Sequence, residues 1–290
     1  MDASAPRLPA STSLGAVRLR VSDPDGVGDF YRRAVGLHDL GSVDGIVRLG
    51  TPAGAPILEL AGDPSAPARP PRSTGLFHLA ILLPSRADLA QAVHRVSRAG
   101  RSFSGAADHL VSEALYLDDP EGNGVEIYRD RPREEWARRD GEIEMATLAI
   151  DLDGVLAALP PGTPDEGVPD GTVMGHVHLQ VRDIPEAEAF YHGVLGFDPV
   201  VRGYPGALFV SAGGYHHHLG LNTWGTRDAP PPPPGARGLD RYRVILPGRA
   251  DVDALAARLA AAGHQAVPDR DGLVAVDPSG NRTVIAAAGG

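Results

Sequence analysis

Val181-Arg182-Asp183 leads through Phe190-Tyr191 to Gly196-Phe197, and Val21-Ser22-Asp23 leads with the same spacing through Phe30-Tyr31 to Gly36-Leu37. Two further runs recur in matching order. Leu83-Pro84-Ser85-Arg86-Ala87-Asp88 returns as Leu246-Pro247-Gly248-Arg249-Ala250-Asp251, each opening an alanine-rich segment that stops at Gly100 or Gly263. Asp119-Pro120-Glu121-Gly122-Asn123 returns as Asp277-Pro278-Ser279-Gly280-Asn281. Chance supplies one such echo easily and three in order rarely. The chain is a repeat protein, and the repeat decides its architecture.

Each copy opens with an alternating strand, such as residues 17–21, whose apolar residues sit two apart. An aspartate then caps a helix that turns a Phe-Tyr pair toward the core. A glycine ends that helix, where a left-handed conformation is cheap for it. Short β-rich runs punctuated by Gly and Pro follow. The pattern predicts an α+β chain of four βαβββ units, over 14–62, 75–130, 173–225 and 239–287. They group into a first domain over 1–130 and a second over 173–290. Residues 63–73 and 131–172 read as linkers, the latter with a short polar helix and a Pro/Gly/Asp stretch over 160–171. Residues 230–234 are five prolines, a stiff and extended spacer.

Of the 290 residues, 42% are hydrophobic and 22% charged, the balance of a soluble globular protein. The net charge of −10 leaves no broad basic surface for a phosphate backbone, so nucleic acid is not an expected partner. With no cysteine, disulfides, thiolate zinc sites and cysteine nucleophiles are excluded together. Residues 1–13 lack a charged region followed by an apolar run, and no stretch approaches the roughly 18 apolar residues of a membrane span. The expectation is a cytoplasmic protein with no membrane partner; a homo-oligomer is compatible with this composition.

Alternation across Gly175-His176-Val177-His178-Leu179-Gln180-Val181 puts His176, His178 and Gln180 on one strand face, a metal or substrate surface or equally a solvated one. His78 lies inside the apolar run 76–81. Glu126 lies inside Val125-Glu126-Ile127-Tyr128, where an ionised carboxylate costs several kcal/mol unless a cation compensates it or the strand is an exposed edge. His216, His217 and His218 precede a further alternating run. His109 and Tyr116 are candidates for substrate hydrogen bonding or packing. His94, His192 and His264 fall on helices and His38 just after one, and these four read as surface residues.

The runs 175–181, Asp183 through Phe190-Tyr191 to Gly196-Phe197, and Asp119 to Ile127 resemble the vicinal-oxygen-chelate superfamily of glyoxalases, bleomycin-resistance proteins and extradiol dioxygenases. Residues 77–84, 108–116 and 216–224 are similar to its two-domain catechol-2,3-dioxygenase-like group. The resemblance implies two half-barrel domains, each lined by two units, and a metal held by one histidine of one unit and a histidine and glutamate of another. Carried over, these are His176, His78 and Glu126, a set suited to Fe(II) or alternatively Mn(II). His217 takes the acid–base position with His216 beside it; a slip by one residue among the three histidines is open. The implied activity is extradiol cleavage of a small aromatic diol by O₂. Isomerase, epimerase or glyoxalase-like chemistry, and metal-free binding of an aromatic drug, are the alternatives.

The other copies have lost their ligands. Ala16 stands at the His176 position, Arg241 at the His78 position and Val284 at the Glu126 position. Only units two and three together hold all three ligands, so they are expected to line the active half-barrel, within one chain or across subunits. Units one and four should then build a metal-free half-barrel, with Ala16 and Val284 apolar and Arg241 a cation that would repel a metal ion.

Overall fold

The computed structural model describes residues 7–139 and 141–289. The first repeat comprises β1 (Ser13–Val21), α1 (Pro24–Phe30), β2 (His38–Val43), β3 (Ile46–Gly50) and β4 (Pro56–Gly62). The second comprises β5 (Gly75–Leu83), α2 (Arg86–Arg98), β6 (Gly105–Asp108), β7 (Ser112–Asp118) and β8 (Gly124–Asp130). A connecting segment carries the short strands β9 (Arg138–Arg139) and β10 (Glu142–Ile143) and the helix α3 (Leu152–Ala157). The third repeat is β11 (Val173–Gln180), α4 (Ile184–Glu188), β12 (Asp198–Val201), β13 (Ala207–Ser211) and β14 (Leu219–Asn222). The fourth is β15 (Gly238–Leu246), α5 (Arg249–Ala261), β16 (Ala266–Asp269), β17 (Gly272–Val276) and β18 (Arg282–Ala287).

The repeated residues do the same work in each copy. Asp23 accepts the Gly26 N–H at 2.9 Å and Asp183 the Glu186 N–H at 2.8 Å, capping α1 and α4. Both helices run on into a π-helical turn, Tyr31–Val35 and Ala189–Leu195, closed by Gly36 and Gly196 at φ 91° and 92°. The Asp-Pro-x-Gly-Asn turns fold around their own aspartates. Asp119 Oδ1 accepts N–H groups of Glu121 and Asn123, both at 2.9 Å, and Asp277 Oδ1 those of Ser279 at 2.9 Å and Asn281 at 2.7 Å. The buried tyrosines lock onto these turns: Tyr31 Oη donates to Asp119 at 3.3 Å, and Tyr191 Oη to Asp277 at 2.9 Å. Burial raises both aspartates above the usual carboxylate range.

The strands form two eight-stranded mixed sheets, the half-barrels of an α+β fold. One runs β16-β17-β18-β15-β1-β4-β3-β2, the other β12-β13-β14-β11-β5-β8-β7-β6, while β9 and β10 pair with each other. The first repeat thus shares a sheet with the fourth and the second with the third, the crosswise pairing expected from the lost ligands.

Packing gathers the chain into two compact bodies. In the one built from residues 18–66 and 78–175, α2 lies on the π-turn Tyr31–Val35 and α3 lies on α2. Arg95 ties the connecting segment down, donating to Val35 O at 2.7 Å, Gly167 O at 2.9 Å and Asp165 at 2.8 Å. In the other, α5 lies on the turn 189–195 and on β18, burying Val252, Leu255 and Leu259. There the proline run is strapped in place: Thr74 N–H donates to Pro230 O at 3.1 Å and Arg237 N–H to Pro67 O at 2.9 Å. Among the described residues no helix is long and apolar enough to cross a membrane.

Candidate metal centre

His78 and Glu126 stand on parallel strands in a register that pairs His78 with Gly124 and Ala80 with Glu126. Both side chains therefore project from one face, and His78 Nε2 sits 3.0 Å from Glu126 Oε2. β8 runs between β5 and β7, so Glu126 is not on an edge strand; it is 2% exposed. Tyr116 stands directly opposite Glu126 on β7, its ring centroid 5.7 Å from that of His78. His109 Nδ1 lies 2.7 Å from Ala146 O, and its Nε2 lies 2.6 Å from Tyr116 Oη. A carbonyl only accepts, so Nδ1 carries the proton. In the neutral ring Nε2 then accepts from the Tyr116 hydroxyl.

His176 and His178 both lie buried on β11, against the solvated alternative. A Cβ at Gly175, just before them, would collide with the Tyr128 hydroxyl, which explains glycine there. The His176 ring is 4.1 Å from the His217 ring and 6.3 Å from that of His216. His216 Nδ1 and His217 Nδ1 are 2.8 Å apart, so one carries a proton between them. His218 is directed elsewhere: its Nδ1 accepts the Ala212 N–H at 3.2 Å and lies 3.2 Å from Ser211 Oγ.

One ligand atom from each of His78, Glu126 and His176 lies within 4.8 Å of the other two, and all three side chains are buried. Among the described residues no other trio of His, Asp or Glu converges in this way. Two imidazoles and one carboxylate form a donor set able to hold a divalent transition-metal ion.

The other repeats show what replaced this set. Parallel registers pair His178 with Gly220 and Arg243 with Val284, as they pair Ala80 with Glu126, so Gly220 and Val284 occupy the glutamate row. Arg241 has its own carboxylate partners. It pairs with Asp240 at 3.0 Å and with Asp269 at 2.5 Å, and Asp269 lies on β16, out of reach of any local pattern. Glu59 was missed. Its signal was a lone glutamate in the apolar run 57–60, like Glu126 in its own strand. Arg18 holds it at 2.6 Å, so a guanidinium supplies the counter-charge there. Of the four histidines expected at the surface, only His94 is exposed. His38 opens β2, half-buried. His192 Nδ1 donates to Phe197 O at 2.8 Å, and His264, just past α5, packs edge-on to Phe190 at 5.0 Å.

The family model of the Glyoxalase/Bleomycin resistance protein/Dioxygenase superfamily matches residues 13–127 and 173–285. The chain belongs to this superfamily. A Catechol-2,3-dioxygenase of Bacillus subtilis (strain 168) is 44% identical to this superfamily member over 274 residues, 92% of this chain and 94% of that protein. Among solved structures, a Bacillus subtilis protein provisionally named a dioxygenase superposes with a TM-score of 0.68 at 16% identity, covering 98% of this chain and 87% of that one. Glyoxalase I from Zea mays does so with 0.58 at 15% identity, covering 95% and 92%. At these identities the two structures speak for the superfamily fold alone.

Proposed function

We propose that the chain is a cytoplasmic extradiol dioxygenase that opens a catechol-type ring with O₂ at one Fe(II), or alternatively Mn(II), held by His78, Glu126 and His176. The observation that carries this reading is the buried convergence of those three side chains in a chain 44% identical to a Catechol-2,3-dioxygenase. The ion would supply a Lewis acid and template that lowers the pKa of two vicinal hydroxyls and holds them beside dioxygen.

The protein's own groups do the rest. Glu126, 2% exposed, would offset part of the cation's charge. His217, whose ring centroid lies 4.1 Å from that of His176, takes the catechol proton and later returns it. When the proton shared with His216 rests on His217 Nδ1, its Nε2 is the basic atom. Tyr116 spends its hydrogen on His109, which leaves its oxygen as an acceptor for a substrate hydroxyl. His218, engaged by Ala212 and Ser211, holds the strand start rather than the substrate.

The test is anaerobic loading with Fe(II), then addition of catechol and air. Oxygen uptake with a yellow ring-opened product is expected. Fully loaded protein that consumes no oxygen with catechol or its alkyl derivatives would overturn the reading.

A further inference from the structure

Phe77 and Trp224, at 39% and 37% exposure, are the aromatic members of the exposed large apolar side chains among the described residues. They are neighbours, with ring centroids 5.5 Å apart and edges toward faces. His178 completes a triangle, 5.1 Å from Phe77 and 5.5 Å from Trp224. From His178 the contacts continue inward: its ring meets Phe209 at 5.7 Å, and Phe209 meets His217 at 5.0 Å. Ring contacts thus run from the exposed Phe77 and Trp224 through the buried His178 and Phe209 to the proposed acid–base histidine.

Trp224 is held rigidly. Asn222 Oδ1 accepts its backbone N–H at 3.0 Å, and Pro205 O accepts its indole N–H at 3.0 Å. With both donors satisfied, the face of the indole is what it still offers a ligand. Contiguous exposed apolar surface marks interaction sites, where singly scattered apolar residues do not. The neighbouring guanidinium, Arg69, has its nitrogens engaged by Ser73, Leu76 O and Gln180, so an anionic group would find no free partner in it.

We propose that Phe77, His178 and Trp224 form a recognition wall for an aromatic substituent of the diol. The preferred substrate is then a catechol carrying a second ring or a comparably extended apolar group. This rests on the dioxygenase reading above. Phe209 is the ring next to His217 and the triangle lies one ring further out, so a single ring beside His217 is expected to meet Phe209 first and a second ring to reach the triangle. Stacking on a pre-ordered wall adds affinity at little ordering cost.

The experiment uses 3-phenylcatechol and catechol as probes of the iron-loaded protein. The ratio of kcat/KM for 3-phenylcatechol to that for catechol should favour the former in the wild type. It should fall about tenfold, the upper end for one aromatic ring pair, in Trp224→Ala and in Phe77→Ala. A ratio unchanged in both variants, or a wild-type preference for catechol, overturns the wall. An anaerobic readout is independent of turnover. In a Trp136→Phe background Trp224 is the single tryptophan, and 3-phenylcatechol should quench its fluorescence saturably at concentrations where catechol does not. If it does so while neither diol is cleaved, the wall stands and the dioxygenase reading falls; absence of quenching with active enzyme refutes the wall alone.

Discussion

Tyr116→Phe removes one oxygen and keeps the ring that packs beside His78. The lost group sits 2.6 Å from His109 Nε2, and His109 cannot swing to a new donor without breaking its 2.7 Å bond to Ala146 O. An unsatisfied buried acceptor costs about 1–3 kcal/mol. Both residues are only half-buried and water can enter, so the stability loss belongs at about 1 kcal/mol. A rate effect adds to this, because the same oxygen is the proposed acceptor for a substrate hydroxyl. A neutral hydrogen bond of about 0.5–1.5 kcal/mol forfeited in the transition state corresponds to roughly 2- to 10-fold in kcat/KM. Oxygen uptake on Fe(II)-loaded protein, with iron measured on the same samples, reads this directly. Wild-type kcat/KM at full iron would show that Tyr116 and His109 only pack. A parallel loss of iron would show that the substitution acts through Glu126, its cross-strand neighbour.

Three further outcomes are expected. His217→Phe should keep its iron and lose about 10²- to 10⁴-fold in turnover; if His216→Phe or His218→Phe is the crippled variant instead, the assignment is off by one. Tyr191→Phe should destabilise the fold by about 1–3 kcal/mol in urea unfolding, since Asp277 loses a donor at 2.9 Å, and Tyr31→Phe by less, because its bond to Asp119 is 3.3 Å; equal costs would contradict the geometry. Burial works to raise the Asp165 carboxyl, but the hydrogen bonds and charge of Arg95 outweigh it and hold it below the usual carboxylate range. The stability it contributes is present above the ordinary value of about 3.9 and is lost as pH falls through the lower folded value. Asp165→Asn should therefore cost up to about 1 kcal/mol at pH 7, discounted for its partial exposure, with the gap to wild type closing in acid; a gap that persists below pH 3 would point to a role other than charge.

The repeat was legible because it is spelled in residues with local duties. Asp23 and Asp183 cap helices, Gly36 and Gly196 close them, and the Asp-Pro-x-Gly-Asn turns fold around their own side chains. Crosswise sheet pairing has no local signal; it was read from Ala16, Arg241 and Val284, positions where ligands are missing. What stayed hidden depends on partners far along the chain. Arg18 finds Glu59 across 41 residues, Arg241 finds Asp269 across 28, and His109 finds Ala146 across 37. No periodicity encodes such pairs. The aromatic triangle was hidden for the same reason, since Phe77, His178 and Trp224 belong to three different strands or loops.

Elemental analysis of anaerobically purified protein tests the centre most directly, before any substrate is chosen. One divalent transition-metal ion per chain is expected in the wild type, with occupancy falling sharply in Glu126→Gln, which keeps the shape and removes the charge. Full occupancy in Glu126→Gln, or a wild-type chain that takes up no ion from excess Fe(II) or Mn(II), would contradict a metal held by His78, Glu126 and His176.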